Sequence, residues 1–193
     1  MKTTFEIPYK RYALIGEVAR RASPGRTALQ KYLYLLQSVM GSEPLYDFSI
    51  YTYGPFSSQV LADLDVAEAM GVVTVTRNNL GYTIAPGPEA QRIKDFAQSF
   101  LEPLKDNLDT LFRDFGGLSA KELELRSTIV YAFQDLQNRR QPTTDLAEIV
   151  QEIKPGFTQA HIDTAIANLT RLGYIQRTQP PEMAQAAGIA CTA

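Results

Sequence analysis

The chain has 193 residues, 45% of them apolar, and a formal net charge of −2 from 19 Lys/Arg against 21 Asp/Glu. That apolar share excludes disorder throughout and suffices for one sizeable core or two small ones of about 100 residues each, while the near-neutral charge excludes a protein that coats nucleic acid by neutralising phosphates. The average conceals an asymmetry, because residues 1–40 carry seven Lys/Arg against Glu6 and Glu17, a local net of +5 that leaves about −7 on the remainder.

After a lead ending at Pro8, residues 9–21 read as a helix with Leu14, Val18 and Arg21 at helical spacing, stopped by Ser23-Pro24-Gly25. A second helix over 26–40 sets Leu29, Leu33, Leu36 and Met40 on one core-facing stripe and leaves Gln30, Lys31, Tyr34 and Gln37 largely off it, available for contacts. Residues 46–53 alternate Phe48, Ile50 and Thr52 against Asp47, Ser49 and Tyr51, as a half-buried strand does. Gly54-Pro55 turns the chain, and Ser57 or Ser58 caps a helix to about residue 70 that buries Val60, Leu61, Leu64 and Ala67. Residues 72–77 and 81–85, joined by Asn78-Asn79-Leu80, pattern as a hairpin. Helix, helix, strand, helix and β-wing is the order of a winged-helix module, here over residues 1–88 and closed by Pro86-Gly87-Pro88.

From residue 89 to 115, Ile93, Phe96, Phe100, Leu104, Leu108, Leu111 and Phe115 form a long amphipathic stripe that Pro103 must kink or divide. Its length admits a homodimer through this face or burial within one chain. Ser119-Ala120-Lys121-Glu122 has the capping-box pattern and opens a helix to about residue 136. After a polar loop at 138–144, a helix over 145–153, the turn Pro155-Gly156-Phe157, a helix over 158–172 and a short strand at 173–176 make a second helix-turn-helix-like unit, within a helical domain spanning 89–178. Residues 179–193, rich in Pro, Ala and Gly, read as a disordered tail. The fold class is therefore mainly α with small β.

Cys191 is the single cysteine, so no intramolecular disulfide forms, which suits a reducing compartment. With no signal-peptide pattern and no apolar run near the ~18 residues that span a bilayer, a cytoplasmic protein without membrane contact is expected. One histidine, His161, and that one cysteine cannot assemble the usual nucleophile–base–orienter sets. Neither Gly-x-Gly-x-x-Gly nor a P-loop occurs. Asp63 and Asp65 point roughly 200° apart on a helix, which makes a solvated acidic face rather than a metal site. Neither an enzyme nor a cofactor is expected.

A winged helix that reads duplex DNA offers Arg, Lys, Asn or Gln from its third helix. Residues 57–70 offer Gln59 alongside Asp63, Asp65 and Glu68, and no Lys or Arg. The better nucleic-acid candidates are Thr158, Gln159, His161 and Arg171 on the later helix, with Arg77 in the wing. Protein recognition by the same scaffold is the leading expectation, through Arg20, Arg21, Arg26 and Lys31 with Tyr34, Gln37, Tyr51 and Tyr53 nearby.

Gly25-Arg26, Leu29-Gln30-Lys31, Tyr34-Leu35, Phe48 and Tyr53-Gly54-Pro55-Phe56-Ser57 resemble the bacterial and archaeal YwgA-type proteins. More distantly, Leu29-Gln30-Lys31, Tyr34, Gln37, Pro44-Leu45-Tyr46 and Tyr53-Gly54-Pro55 are similar to the Panacea, or SocA-like, antitoxin domain. The resemblance covers about residues 10–85, with a weaker echo at 118–125. It implies a non-catalytic protein that neutralises a toxin, sometimes by delivering it to a protease. The chain departs from the pattern in having no tryptophan and a long helical second half. The tight turn at Tyr53-Gly54-Pro55 gives that signature a structural reason.

Overall fold

The computed structural model describes residues 6–79, 81–139 and 145–176. The tail expected at 179–193, Leu80 of the expected hairpin turn and most of the expected polar loop lie outside them. Two compact units divide the chain, Met1–Tyr131 and Ala132–Ala193. The architecture is mainly helical with two small antiparallel strand pairs.

In the first unit, α1 (Glu6–Ala22) and α2 (Arg26–Val39) precede a short hairpin, β1 (Ser49–Tyr51) with β2 (Gly54–Phe56), then α3 (Ser58–Ala69) and a longer hairpin, β3 (Val73–Asn78) with β4 (Gly81–Pro86). Leu14, Ile15 and Val18 of α1, Leu29, Leu33 and Leu36 of α2 and Val60 and Leu64 of α3 are buried. Each contributes about 1.5–3 kcal/mol of apolar transfer. Helix α3 is capped by Met70, and Gly71, at φ +73°, takes the left-handed position that lets Val72 N–H reach Ala67 C=O at 2.8 Å. That stop delivers Val72, Val73 and Ile84 to the core. Ile84 N–H donates to Pro24 C=O at 2.9 Å, tying β4 to the loop between α1 and α2.

The stripe over 89–115 is divided into α4 (Ala90–Phe96), α5 (Gln98–Leu101), a 3₁₀ turn (Glu102–Leu104) and α6 (Lys105–Phe115). Pro103 accounts for the second break because it cannot donate within a helix. Ile93, Leu101, Leu104, Leu108, Leu111 and Phe115 are buried, and these segments pack on α1 and α2 of the same chain. Phe96, at one end of the stripe, is left 68% exposed.

The capping box is present at the start of α7 (Ala120–Arg139): Glu122 N–H donates to Ser119 Oγ at 3.2 Å, and Ser119 N–H to Glu122 Oε2 at 2.9 Å. The Ser119 N–H, and the Ser119 hydroxyl donating to Glu122 Oε2 at 2.8 Å, hold the Glu122 carboxyl below its ordinary range.

In the second unit, α8 (Leu146–Ile153) packs on α9 (Gln159–Arg171) around Leu146, Val150, Ile162, Ala165 and Leu169. Asp145 and Thr158 cap the two helices through Ala147 N–H at 2.9 Å and His161 N–H at 3.4 Å. The strand expected at 173–176 is replaced by a glycine-stopped turn, with Tyr174 N–H on Leu169 C=O at 3.0 Å.

Candidate interaction site

The β1–β2 register sets Ile50 opposite Pro55 and closes at Tyr51 and Gly54. In that register Pro55 sits where backbone groups face away from the partner strand, so its missing N–H breaks no ladder bond. Its outward carbonyl and the N–H of Ser57 two residues on need other partners, and α2 supplies them from side chains, adding a second donor to the Ser57 C=O that also accepts Val60 N–H at 3.2 Å. Lys31 Nζ donates to Pro55 C=O at 2.7 Å. Gln30 Nε2 donates to Ser57 C=O at 2.9 Å, while Gln30 Oε1 accepts Ser57 N–H at 3.1 Å. Two consecutive side chains thus complete the outer edge of β2 as a neighbouring strand would. Gly54, at φ +82°, lies against α7, where an added Cβ would stand 2.7 Å from Thr128 Oγ1.

This clasp corrects the sequence reading of α2. Lys31 is 1% exposed and Tyr34 and Gln30 are buried, so none of the three is on the surface. Burial also pushes the Tyr34 hydroxyl pKa upward. Gln37 is half-buried, and its amide donates to Tyr46 C=O at 2.7 Å, fixing the loop before β1. Helix α2 is buried along its whole length from Ala28 to Leu36 because α1, α6, β2 and β4 all pack on it. A single stripe could not show this. Strand β1, expected half-buried, exposes all three of its residues. Asp63, expected on a solvated acidic face, is buried, taking a bond from Gln59 Nε2 at 2.7 Å with Arg11 Nη1 3.7 Å away. Ser57 occupies the N-cap position of α3, but its hydroxyl makes no capping bond.

Arg20 and Arg21 serve another place. Both hydrogen-bond the buried Glu17 carboxylate, Lys94 Nζ lies 3.5 Å from it, and Arg21 reaches Asp109 on α6 at 2.6 Å. Burial alone would raise the Glu17 pKa, yet the hydrogen bonds from Arg20 and Arg21 and the charges of Arg20 and Lys94 outweigh it and bring it down to about 2. The cluster pins α1 to α4 and α6.

The residues brought together at the surface are Arg26, Tyr51 and Tyr53. Tyr51 and Tyr53 are 65% and 63% exposed. With Arg26, Phe56 and Leu61 they line a groove of about 160 Å³ over the Gln30–Lys31 clasp. The Arg26 guanidinium lies 4.2 Å over the Tyr82 ring, which Arg77 approaches from 5.7 Å. Its nearest carboxylate oxygen, on Asp65, is 3.9 Å away. Arg26, Thr27, Gln30 and Lys31 all line the groove. The spacing i, i+1, i+4, i+5 makes them one helix face, a signal that treating the core stripe alone passes over. Phe56 and Leu61 carried no such signal.

Of the nucleic-acid candidates, Arg77 is exposed on β3, while Thr158, Gln159, His161 and Arg171 belong to the other unit. Thr158 is used as the α9 cap, and the Gln159 amide donates to Asp163 at 2.9 Å. His161 and Arg171 are exposed but ten residues apart, about 15 Å along the helix.

Among the described residues no group of three or more His, Cys, Asp or Glu is placed to hold a metal ion. No helix among them is long and apolar enough to cross a membrane. No family model matches the chain, and no curated protein matches its sequence.

Proposed function

We propose that the chain is a non-enzymatic interaction or regulatory protein, adaptor-like or antitoxin-like, whose residues 1–88 are a winged-helix module presenting the Arg26–Tyr51–Tyr53 groove to another protein. One observation carries this reading: two neighbouring tyrosines stand 65% and 63% exposed on a hairpin that buried side chains hold rigid. Tyrosine offers large, amphipathic contact area at low conformational cost, and such residues over a preformed pocket are where interface energy concentrates. The order of elements and the bond from β4 to the loop before α2 support the winged-helix reading. The YwgA-type and Panacea resemblance fits a non-catalytic role, with its signature residues spent on the clasp beneath the groove.

Duplex DNA reading through α9 has less in its favour, since Thr158 and Gln159 are already engaged within their own helix. The test is affinity capture from native host lysate with the tagged full chain, with and without nuclease, beside a Tyr51→Ala/Tyr53→Ala variant of unchanged melting temperature. A stoichiometric protein that survives nuclease and is lost with the two tyrosines is the expected result. Recovery of a defined DNA segment, or of a protein that the double variant captures equally well, would overturn it.

A further inference from the structure

The groove has a chemical polarity that narrows its partner. Among the described residues its lining includes two cationic side chains, Arg26 and Lys31, and no carboxylate. Phe56, Leu61 and the faces of Tyr51 and Tyr53 make the rest largely apolar. Among the described residues, Arg26 Nε, which is shielded from solvent, has no hydrogen-bond partner, and the nearest acid, Asp65, is 70% exposed and beyond hydrogen-bond reach at 3.9 Å. A guanidinium held against Tyr82 has already lost much of the freedom it would give up on binding. The first turn of α2 adds to the same field: Gly25 gives it no side-chain cap, and it contains no acidic residue.

We infer that the groove binds a short acidic-apolar segment of a partner protein, with a Glu or Asp carboxylate on Arg26 and the adjacent apolar side chain between Tyr53, Phe56 and Leu61. The inference rests on the groove being the recognition surface proposed above and names what that surface recognises. Arg26 is the one guanidinium among the described residues that line the groove, and it matches a single carboxylate through paired N–H···O bonds. A nucleic-acid strand would need a row of cations, whereas α3 exposes Asp65 and Glu68 in this part of the unit. Asp65 is the internal competitor, so removing its charge strengthens binding.

A displayed library of random short peptides, selected on the full chain, tests this even with the partner unidentified. Wild-type protein is expected to enrich peptides with Asp or Glu next to Leu, Ile or Phe. Binding of the enriched peptide, read by fluorescence anisotropy, is expected to weaken about tenfold in Arg26→Gln, to tighten about twofold in Asp65→Asn and to fall off with salt. The melting temperature of each variant shows that it is folded. Peptides enriched without an acidic residue, lost in Tyr51→Ala/Tyr53→Ala yet retained by Arg26→Gln, would overturn the acidic specificity and leave the recognition surface standing. No enrichment by wild type, or equal enrichment by the double tyrosine variant, would remove both. Displacement of the selected peptide by oligo-dT at equal strength would overturn the choice of a protein segment.

Discussion

Replacing Gln30 by Ala removes both bonds that the clasp makes to Ser57, at 2.9 and 3.1 Å, and leaves the buried Ser57 N–H without its acceptor, while Ser57 C=O keeps the Val60 N–H at 3.2 Å. The orphaned N–H costs about 1–3 kcal/mol and the lost bond to the still-satisfied carbonyl about 0.5–1, so the pair of bonds is worth roughly 1.5–4 kcal/mol. For a chain of this size that corresponds to a fall in Tm of roughly 5–15 °C. Of the ten tyrosines, all but Tyr174 lie in Met1–Tyr131, so near-UV circular dichroism during urea unfolding reports on the unit that carries the clasp. The expected result is a lower urea midpoint at unchanged m. Gln30→Glu keeps the acceptor for Ser57 N–H but sets a carboxylate against Ser57 C=O, and does no better than Ala. A loss below about 0.5 kcal/mol for Gln30→Ala would refute the idea that this side chain completes the strand edge.

Gly54→Ala forces a Cβ to within 2.7 Å of Thr128 Oγ1 at a φ of +82°, and is expected to cost about 2–4 kcal/mol. In a Thr128→Ala background the contact disappears while the backbone strain remains, so the double variant should cost less than the sum of the two singles; strict additivity in the same urea assay would contradict the close approach. Glu17 has a folded-state pKa near 2 against an ordinary 4.5. The stability it contributes is therefore complete above pH 4.5 and is lost as the pH falls towards 2. Screening at the half-exposed Arg20 and Lys94 brings the contribution to about 1–2 kcal/mol, and Glu17→Gln should lose this part of the acid dependence of the urea midpoint; an unchanged slope in that variant would disprove the pairing. Ser119→Ala should cost about 1 kcal/mol through loss of the capping box, measured in the same way.

Local rules made much of the first unit legible. Ser23-Pro24-Gly25 marked the end of α1, Gly54-Pro55 the turn ahead of α3, period-two patterning and two asparagines β3 and β4, Pro103 a break, and Ser119 with Glu122 a helix start. Long-range relations were not legible. Gln30 and Lys31 look like surface residues on a helical wheel because their partners are backbone atoms 27 and 24 positions away, on a strand edge that exists only once the fold has formed. Tyr34 is buried against Phe48, with ring centroids 5.3 Å apart, for the same reason. The break at Ala97 has no counterpart in the sequence, and no contact in the structure explains it. At the candidate site, Arg26, Tyr51 and Tyr53 could be named from residue type, whereas Phe56, Leu61 and the stack on Tyr82 required the chain to be folded.

Amide hydrogen exchange of the full chain, alone and saturated with its captured partner, tests the recognition surface most directly. The account expects new protection at Ser49–Phe56 and in the first turn of α2, with α9 unchanged. Protection confined to α9, or spread over neither hairpin nor α2, would contradict it.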